Sequence, residues 1–276
     1  MMMKLYRIAV LAITIAVTVV FGYTYINTTV TTDKTFPVIS LEDDVLELSV
    51  DASDSDFLDG VTATDGKDGD ISDRVIVESV SKFIKPGICK VTYAVCDEDN
   101  HVATAVRKVK YTDYVSPRYE LTESLCYSVY EAVNLKNAIS VTDCFDGNLN
   151  GSLILTSKDY AGATEGVFSI DATVTSSKGD TAVLTLPLIV ENRSLSAPQI
   201  ELSQYLLYID KGEQTNPEEF IVKAVDYTED DITDDVTIDT NLNVNKEGTY
   251  IVHYFAVDDR GERGHSILIV IVGNEK

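Results

Sequence analysis

The sequence predicts an all-β chain, with three tandem β-sandwich domains behind one N-terminal apolar helix. Three observations carry that expectation. A set of landmarks recurs three times, with leading prolines 80 and 81 residues apart (Pro37, Pro117, Pro198). The runs between landmarks alternate apolar and polar residues with the period of a half-buried strand. The one long uncharged stretch stands at the N-terminus.

That stretch comes first in the chain. Lys4 and Arg7 precede 19 uncharged residues, Ile8 to Ile26. At about 1.5 Å per residue they nearly cross a hydrocarbon core of about 30 Å. The basic residues lie before it and the next charge is Asp33, so the positive-inside bias sends the rest of the chain outside. Tyr23 and Tyr25 stand at its outer end, where aromatic rings suit the interface. A cleaved signal peptide with an apolar core of Ile8–Val20 is the rival reading, with Val20-Phe21-Gly22 as a passable substitute for the missing A-x-A site. Length favours the uncleaved anchor, and both readings export the protein. Residues 1–35 are therefore read as a short cytoplasmic tail, a signal-anchor helix and a Thr-rich linker.

Composition narrows the partners. The 276 residues hold 22 Lys+Arg against 45 Asp+Glu, a formal charge of −23. Such a surface repels phosphate backbones and argues against nucleic acid as a partner. With 45% apolar residues the chain has material for packed cores.

The repeats follow. Pro37-Val38-Ile39-Ser40-Leu41, Pro117-Arg118-Tyr119-Glu120-Leu121 and Pro198-Gln199-Ile200-Glu201-Leu202 open the units. Next come VTATDGKDGDIS from Val61, ISVTDCFDGNLN from Ile139 and VKAVDYTEDDIT from Val222. Last come KPGICKVTYAVCDEDNH from Lys85, TEGVFSIDATVTSSKGD from Thr164 and KEGTYIVHYFAVDDRGE from Lys246. In the last landmark Cys89, Val91, Tyr93 and Val95 point one way and Lys90, Thr92 and Ala94 the other, as do Tyr250, Val252, Tyr254 and Ala256 against their neighbours. Domains are expected at 36–114, 115–194 and 196–276, the middle one divergent.

This order of landmarks resembles the bacterial surface immunoglobulin-like domain, which recurs in tandem on exported proteins and includes the immunoglobulin-like part of a pesticidal crystal protein. Residues 36–112 and 197–273 carry the pattern well and 116–192 loosely: Cys89 replaces one expected tyrosine, Ala172 another, and Ser176 an aspartate. The resemblance implies three tandem immunoglobulin-like β-sandwiches, a surface location and a spacer, adhesion or carbohydrate-contact role. It names no catalytic residue.

Acidic loops are the candidate binding sites. Asp65, Asp68 and Asp70 surround Gly69, and in an immunoglobulin-like fold Asp97 and Asp99 share their pole. Asp226, Asp230 and Asp231, with Glu229, pair similarly with Asp258 and Asp259. Several inward-turned oxygens suit Ca²⁺, so calcium is the expected cofactor if there is one. The competing reading makes these aspartates turn formers bonding their own backbones. The middle copy keeps Asp143 and Asp146 but has Asn148 and Ser176, so weaker binding is expected there.

Four cysteines allow three disulfide connectivities. Cys89 and Cys96 differ in strand parity, and Cys126 with Cys144 is the preferred pair. Cys89 also reads as a small buried hydrophobe. No C-x-x-C occurs and no histidine neighbours a cysteine pair, so the sequence offers no zinc motif. His101, His253 and His265 adjoin no nucleophile elbow, and no Gly-rich phosphate loop is present. Asn27, Asn150 and Asn192 begin N-x-S/T triplets.

The function expected is a membrane-anchored, non-enzymatic extracellular spacer or adhesion module whose partners are the membrane, surface proteins or glycans. The alternative is a carbohydrate-binding accessory protein. Tyr205, Tyr208 and Tyr227 are its nearest stacking set, and the absence of tryptophan counts against it.

Overall fold

The computed structural model describes residues 2–31, 34–157, 159–160 and 164–273. Asp33, the side chain of Asn27 and residues 274–276 lie outside the described residues. Helix α1 (Met2–Thr31) runs past Ile26 into the segment expected to be linker. Within it, hydroxyls of Thr14, Thr18 and Thr24 bond back to the carbonyls of Val10, Thr14 and Val20. Its Met3–Ile26 stretch, with a window of mean hydropathy 2.1, is long and apolar enough to cross a membrane, a test that a signal sequence also passes.

Among the described residues after α1, the regular elements are strands, one short helix and single 3-10 turns. The first sheet pair comprises β1 (Val38–Leu41), β2 (Val45–Leu48), β3 (Val61–Asp65), β4 (Gly69–Asp70), β5 (Ile76–Val80), β6 (Ile88–Cys96) and β7 (Val102–Tyr111). Its sheets have orders β1-β3-β4 and β2-β7-β6-β5. The second comprises β8 (Arg118–Leu121), β9 (Cys126–Ser128), the four-residue α2 (Leu135–Ala138), β10 (Ile139–Asp143), β11 (Gly147–Asn148), β12 (Ile154–Ser157), β13 (Gly166–Thr175) and β14 (Thr181–Glu191). Its orders are β11-β10-β8 and β12-β13-β14-β9. The third comprises β15 (Gln199–Leu202), β16 (Leu206–Ile209), β17 (Ile221–Val225), β18 (Thr237–Thr240), β19 (Gly248–Val257) and β20 (Arg263–Val272), ordered β15-β17 and β16-β20-β19-β18.

The same device closes all three. The strand after the leading proline pairs antiparallel in one sheet, then the chain crosses over and pairs parallel with the last strand in the other: β2 on β7, β9 on β14 and β16 on β20. Each sandwich is thereby tied at its opening strand, in the immunoglobulin-like manner.

Alternation fills the cores as expected. Cys89, Val91, Tyr93 and Val95 are buried on β6 while Lys90 is exposed, and Val252, Tyr254 and Ala256 do the same on β19. The turn between the two longest strands puts one residue of each pair in the left-handed region: Asn100 (φ 69°), Gly179 (φ 86°) and Gly261 (φ 82°). Glycine and asparagine tolerate that conformation at least cost.

The chain divides into two compact units. One is Met1–Ile84 with Ile88–Thr112; the other is Lys85–Gly87 with Asp113–Lys276. The larger unit therefore holds the second and third sheet pairs together. Leu206, Ile267 and Ile269 of the third pair belong to the same buried cluster as Leu125, Leu186 and Leu188 of the second. Apolar surface joins them without a break.

All four cysteines are thiols. The Cys126–Cys144 pair expected from sequence does not form. Cys126 stands opposite Ile189, near the end of β14. Cys144 lies in the loop whose Asp146 bonds Ser177, just before β14 begins. Eight strand residues, roughly 25 Å, separate those levels, whereas a disulfide needs Cα atoms within about 7 Å.

Candidate functional site

The acidic loops do converge. In the first sheet pair Asp68 Oδ2 accepts the Glu98 N–H at 2.8 Å, and Asp99 pairs with Lys67. Their oxygens are occupied from within. Asp65 Oδ1 accepts the N–H groups of Lys67 (2.8 Å) and Asp68 (2.9 Å), and Asp70 Oδ1 accepts the Ser72 N–H (3.0 Å) and hydroxyl (2.6 Å). Arg74 Nη1 lies 3.4 Å from Asp68. Asp97 Oδ1 accepts the His101 N–H at 2.7 Å, and its other oxygen faces His101 Nδ1 at 2.8 Å.

The third sheet pair repeats the arrangement. Asp226 Oδ1 accepts the N–H groups of Thr228 (2.8 Å) and Asp230 (3.0 Å), while Asp231 Oδ1 accepts the Thr233 N–H and hydroxyl. Asp230 Oδ2 receives the Thr228 hydroxyl. Asp258 accepts from the Arg260 guanidinium at 2.7 Å and the Glu262 N–H at 2.9 Å, and Arg260 stacks 3.5 Å above the Tyr227 ring. The chain's own cations thus sit where the loops face each other.

These contacts move the carboxyls. Asp70, Asp226 and Asp231 lie below the usual aspartate range because the hydroxyls and amides of Ser72, Thr228 and Thr233 bond their charged forms. At Asp97 and Asp258 burial pushes upward, and the bonds from His101 and Arg260 outweigh it. In the middle pair, Asp143 Oδ2 is buried with no hydrogen-bond partner among the described residues, and Ser176 Oγ accepts the Asp180 N–H in place of an aspartate.

A different group was not visible in the sequence. Among the described residues, the one group of three or more ligating side chains with donor atoms within 4.8 Å of one another is Cys126, Glu191 and His265. Cys126 comes from β9, Glu191 from the end of β14 and His265 from β20, so the group lies at the joint of the second and third sheet pairs. Cys126 Sγ is 3.2 Å from His265 Nδ1, and Glu191 Oε1 is 2.8 Å from the same nitrogen. His253 Nδ1 lies 2.9 Å from His265 Nε2.

The surroundings hold this geometry. Arg193 donates to the carbonyls of His265 (2.6 Å) and Cys126 (3.2 Å), joining the two backbones. The Ile267 N–H donates to Ser124 Oγ at 2.9 Å. Gly264 precedes the histidine, and a Cβ there would lie 2.1 Å from the Pro198 carbonyl oxygen, so only glycine lets the third pair's opening strand cross this close. His265 and Cys126 are buried and Glu191 is half-buried. A cleft of about 480 Å³ bordered by Arg193, Ser194 and Leu195 is lined by Cys126 and His265. Burial, with the negative charge of Glu191 beside it, pushes the Cys126 thiol up to about 12. Hydrogen bonding to His265 holds Glu191 below the usual carboxylate range against the opposing effect of burial.

This is not the arrangement of a nucleophilic triad. A triad puts the nucleophile on one imidazole nitrogen and the orienting carboxylate on the other. Here both share Nδ1, and the thiol stays protonated. Local sequence signals could not have found the group, because 139 residues separate Cys126 from His265.

Of the three tyrosines of the carbohydrate reading, Tyr205 and Tyr208, partly buried against the joint core, line one cleft of about 650 Å³, while Tyr227 lies apart under Arg260.

Residues 48–111 and 207–272 match the family model of the bacterial surface protein Ig-like domain. Both stretches are bacterial surface Ig-like domains. The match covers β7 and β20 and the long strands β6 and β19, the framework that carries the acidic turns. The chain is also similar to an uncharacterised 81.3 kDa protein of Acholeplasma phage L2, at 23% identity over 229 residues, covering 79% of this chain and 31% of that protein. The chain thus spans about a third of that relative's length. Among solved structures it resembles the M60 catalytic domain with CBM51-1 and CBM51-2 of Clostridium perfringens ZmpB, at 16% identity and TM-score 0.25, covering 87% of this chain and 31% of that one. It also resembles Drosophila N-cadherin EC1-4, at 12% identity and TM-score 0.24, covering 88% and 67% of the two chains.

Proposed function

We propose that the chain is a membrane-held module of the bacterial surface, displaying tandem Ig-like domains that space or bind rather than catalyse. One observation carries the reading: Ig-like surface domains follow an N-terminal helix long and apolar enough to cross a membrane. In lipid such a helix satisfies its own backbone bonds, and its basic residues Lys4 and Arg7 keep the short tail inside. The C-terminal region is then extracellular, and its partners are surface proteins or glycans. Residues 36–114, 115–194 and 196–276 act as three domains, the last two joined through their common core. A non-catalytic role is supported by the Cys126 environment, where a protonated thiol and a carboxylate share one imidazole nitrogen.

Fractionation of cells producing the full chain tests the anchor. The protein should stay in the membrane through an alkaline wash at the mass of the uncleaved chain. A shorter, soluble product beginning near Tyr23 would select the cleaved-signal reading instead.

A further inference from the structure

We propose that Cys126, Glu191 and His265 form a binding site for a divalent transition metal of zinc type, which clamps the second sheet pair to the third. Thiolate, imidazole and carboxylate are the donor set such ions take, and calcium and magnesium, which want oxygen, do not. The two anionic ligands neutralise a dication, so ligands and ion together carry no net charge.

The geometry asks for a cation. His265 Nδ1 is approached by both the Cys126 thiol and the Glu191 carboxylate, at 3.2 and 2.8 Å. One nitrogen offers a single proton or lone pair, which the two partners would have to share as a weaker three-centre bond. A metal between the three donors satisfies all of them at once. With Zn–S of about 2.3 Å and Zn–N of about 2.0 Å, tetrahedral donors stand about 3.5 Å apart. The two separations to His265 Nδ1, 3.2 and 2.8 Å, need to spread by only a few tenths of an ångström, and the thiol and carboxylate lie within 4.8 Å of each other.

The outer contacts fit as well. A metal-bound imidazole usually donates its other N–H to a fixed acceptor, and His265 Nε2 has His253 Nδ1 at 2.9 Å. Arg193 ties the His265 and Cys126 backbones together before any ion arrives. The cleft supplies an entry path and leaves a fourth position for water. Binding replaces the thiol proton with the metal: the S–H bond breaks, the S–metal bond forms and one proton leaves to solvent. Ligands from both sheet pairs make the ion a staple across the joint.

The test uses the full chain in detergent, stripped of metal and titrated with buffered Zn²⁺ and, separately, Co²⁺. One equivalent should bind per chain, excess Ca²⁺ should not displace it, and the cobalt form should show a thiolate-to-metal absorption band in the near ultraviolet. Cys126→Ser should abolish that band. Glu191→Gln, nearly isosteric at a half-buried position and checked for folding by circular dichroism, should weaken binding about tenfold or more. Cys96→Ser and Cys144→Ser, at exposed thiols elsewhere, should change nothing. Absence of stoichiometric binding at micromolar free zinc would overturn the proposal. So would full affinity in folded Glu191→Gln, or a cobalt band that survives Cys126→Ser.

Discussion

The first and third sheet pairs anchor their cores differently from the second. In the first, Tyr93 on β6 is fully buried and its hydroxyl donates to the Phe57 carbonyl at 2.7 Å. In the third, Tyr254 on β19 donates to the Pro217 carbonyl at 2.8 Å. Each ring ties a long strand to the 3-10 turn linking the two sheets. In the second pair the matching residue on β13 is Ala172, and the aromatic comes from the opposite sheet. Tyr119 on β8 is 3% exposed and its hydroxyl reaches the carbonyls of Ala172 (2.9 Å) and Ala182 (2.8 Å). The first and third pairs have Ile39 and Ile200 where the second has Tyr119. What is kept is the ring volume and a satisfied hydroxyl between the sheets, rather than the strand that supplies them. The family match follows the same division, covering 48–111 and 207–272.

Exchange of partners gives the largest effect. Tyr119→Ile should cost about 2–4 kcal/mol through the cavity it leaves, and Ala172→Tyr about 1–3 kcal/mol or more through overpacking. Together they rebuild the pattern of the other two pairs. Denaturant unfolding of the full chain in detergent should then show at least about 2 kcal/mol of favourable coupling. Additive losses would break the comparison.

A smaller effect separates the first pair from the third. Arg107 is buried, donating through Nε to the Tyr93 hydroxyl at 2.7 Å and through Nη2 to the Phe57 carbonyl at 2.9 Å. The matching residue in the third pair is Leu268, also buried. Tyr93→Phe should therefore cost about 1–3 kcal/mol by stripping a buried charge of its acceptor, and Tyr254→Phe nearer 1 kcal/mol. Equal losses in the same unfolding assay would show that Arg107 finds another partner.

The acidic turns give the smallest effect. Asp97 and Asp258 have folded-state values below those of the unfolded chain, so their bonds stabilise the folded turns at neutral pH. That stabilisation is lost as pH falls below the unfolded aspartate value of about 3.9. Amide exchange at residues 97–101 and 258–262 should accelerate on acidification beyond the intrinsic rate, and in the middle pair the sensitive amide should be that of Ser177, which Asp146 accepts. Because Lys67, Arg74 and Arg260 already occupy the space between the loops, calcium and sodium at matched ionic strength should act alike on these turns.

Much of this fold is readable from residue patterns. The leading prolines, the alternation of Cys89–Val95 and the D-x-x-D-G turns each report a local requirement, and the structure meets each one. Convergence of Asp68 with Glu98 follows from strand order, so it could be inferred once the sandwich was assumed. Tyr119 and Ala172 stand 53 residues apart, and their complementarity exists only across the sheets. Cys126, Glu191 and His265 likewise come from three strands in two sheet pairs, and none has a diagnostic neighbour. The run of α1 through Thr31 was missed because a threonine-rich stretch suggests a linker, whereas the helix continues through it.

Surface display is tested most directly by the exposed thiols Cys96 and Cys144. Intact cells producing the full chain are treated with a membrane-impermeant maleimide, alongside Cys96→Ser with Cys144→Ser. The chain should be labelled before lysis, at those two positions, while remaining with the membrane. Labelling that needs lysis would place the Ig-like domains inside and contradict the account.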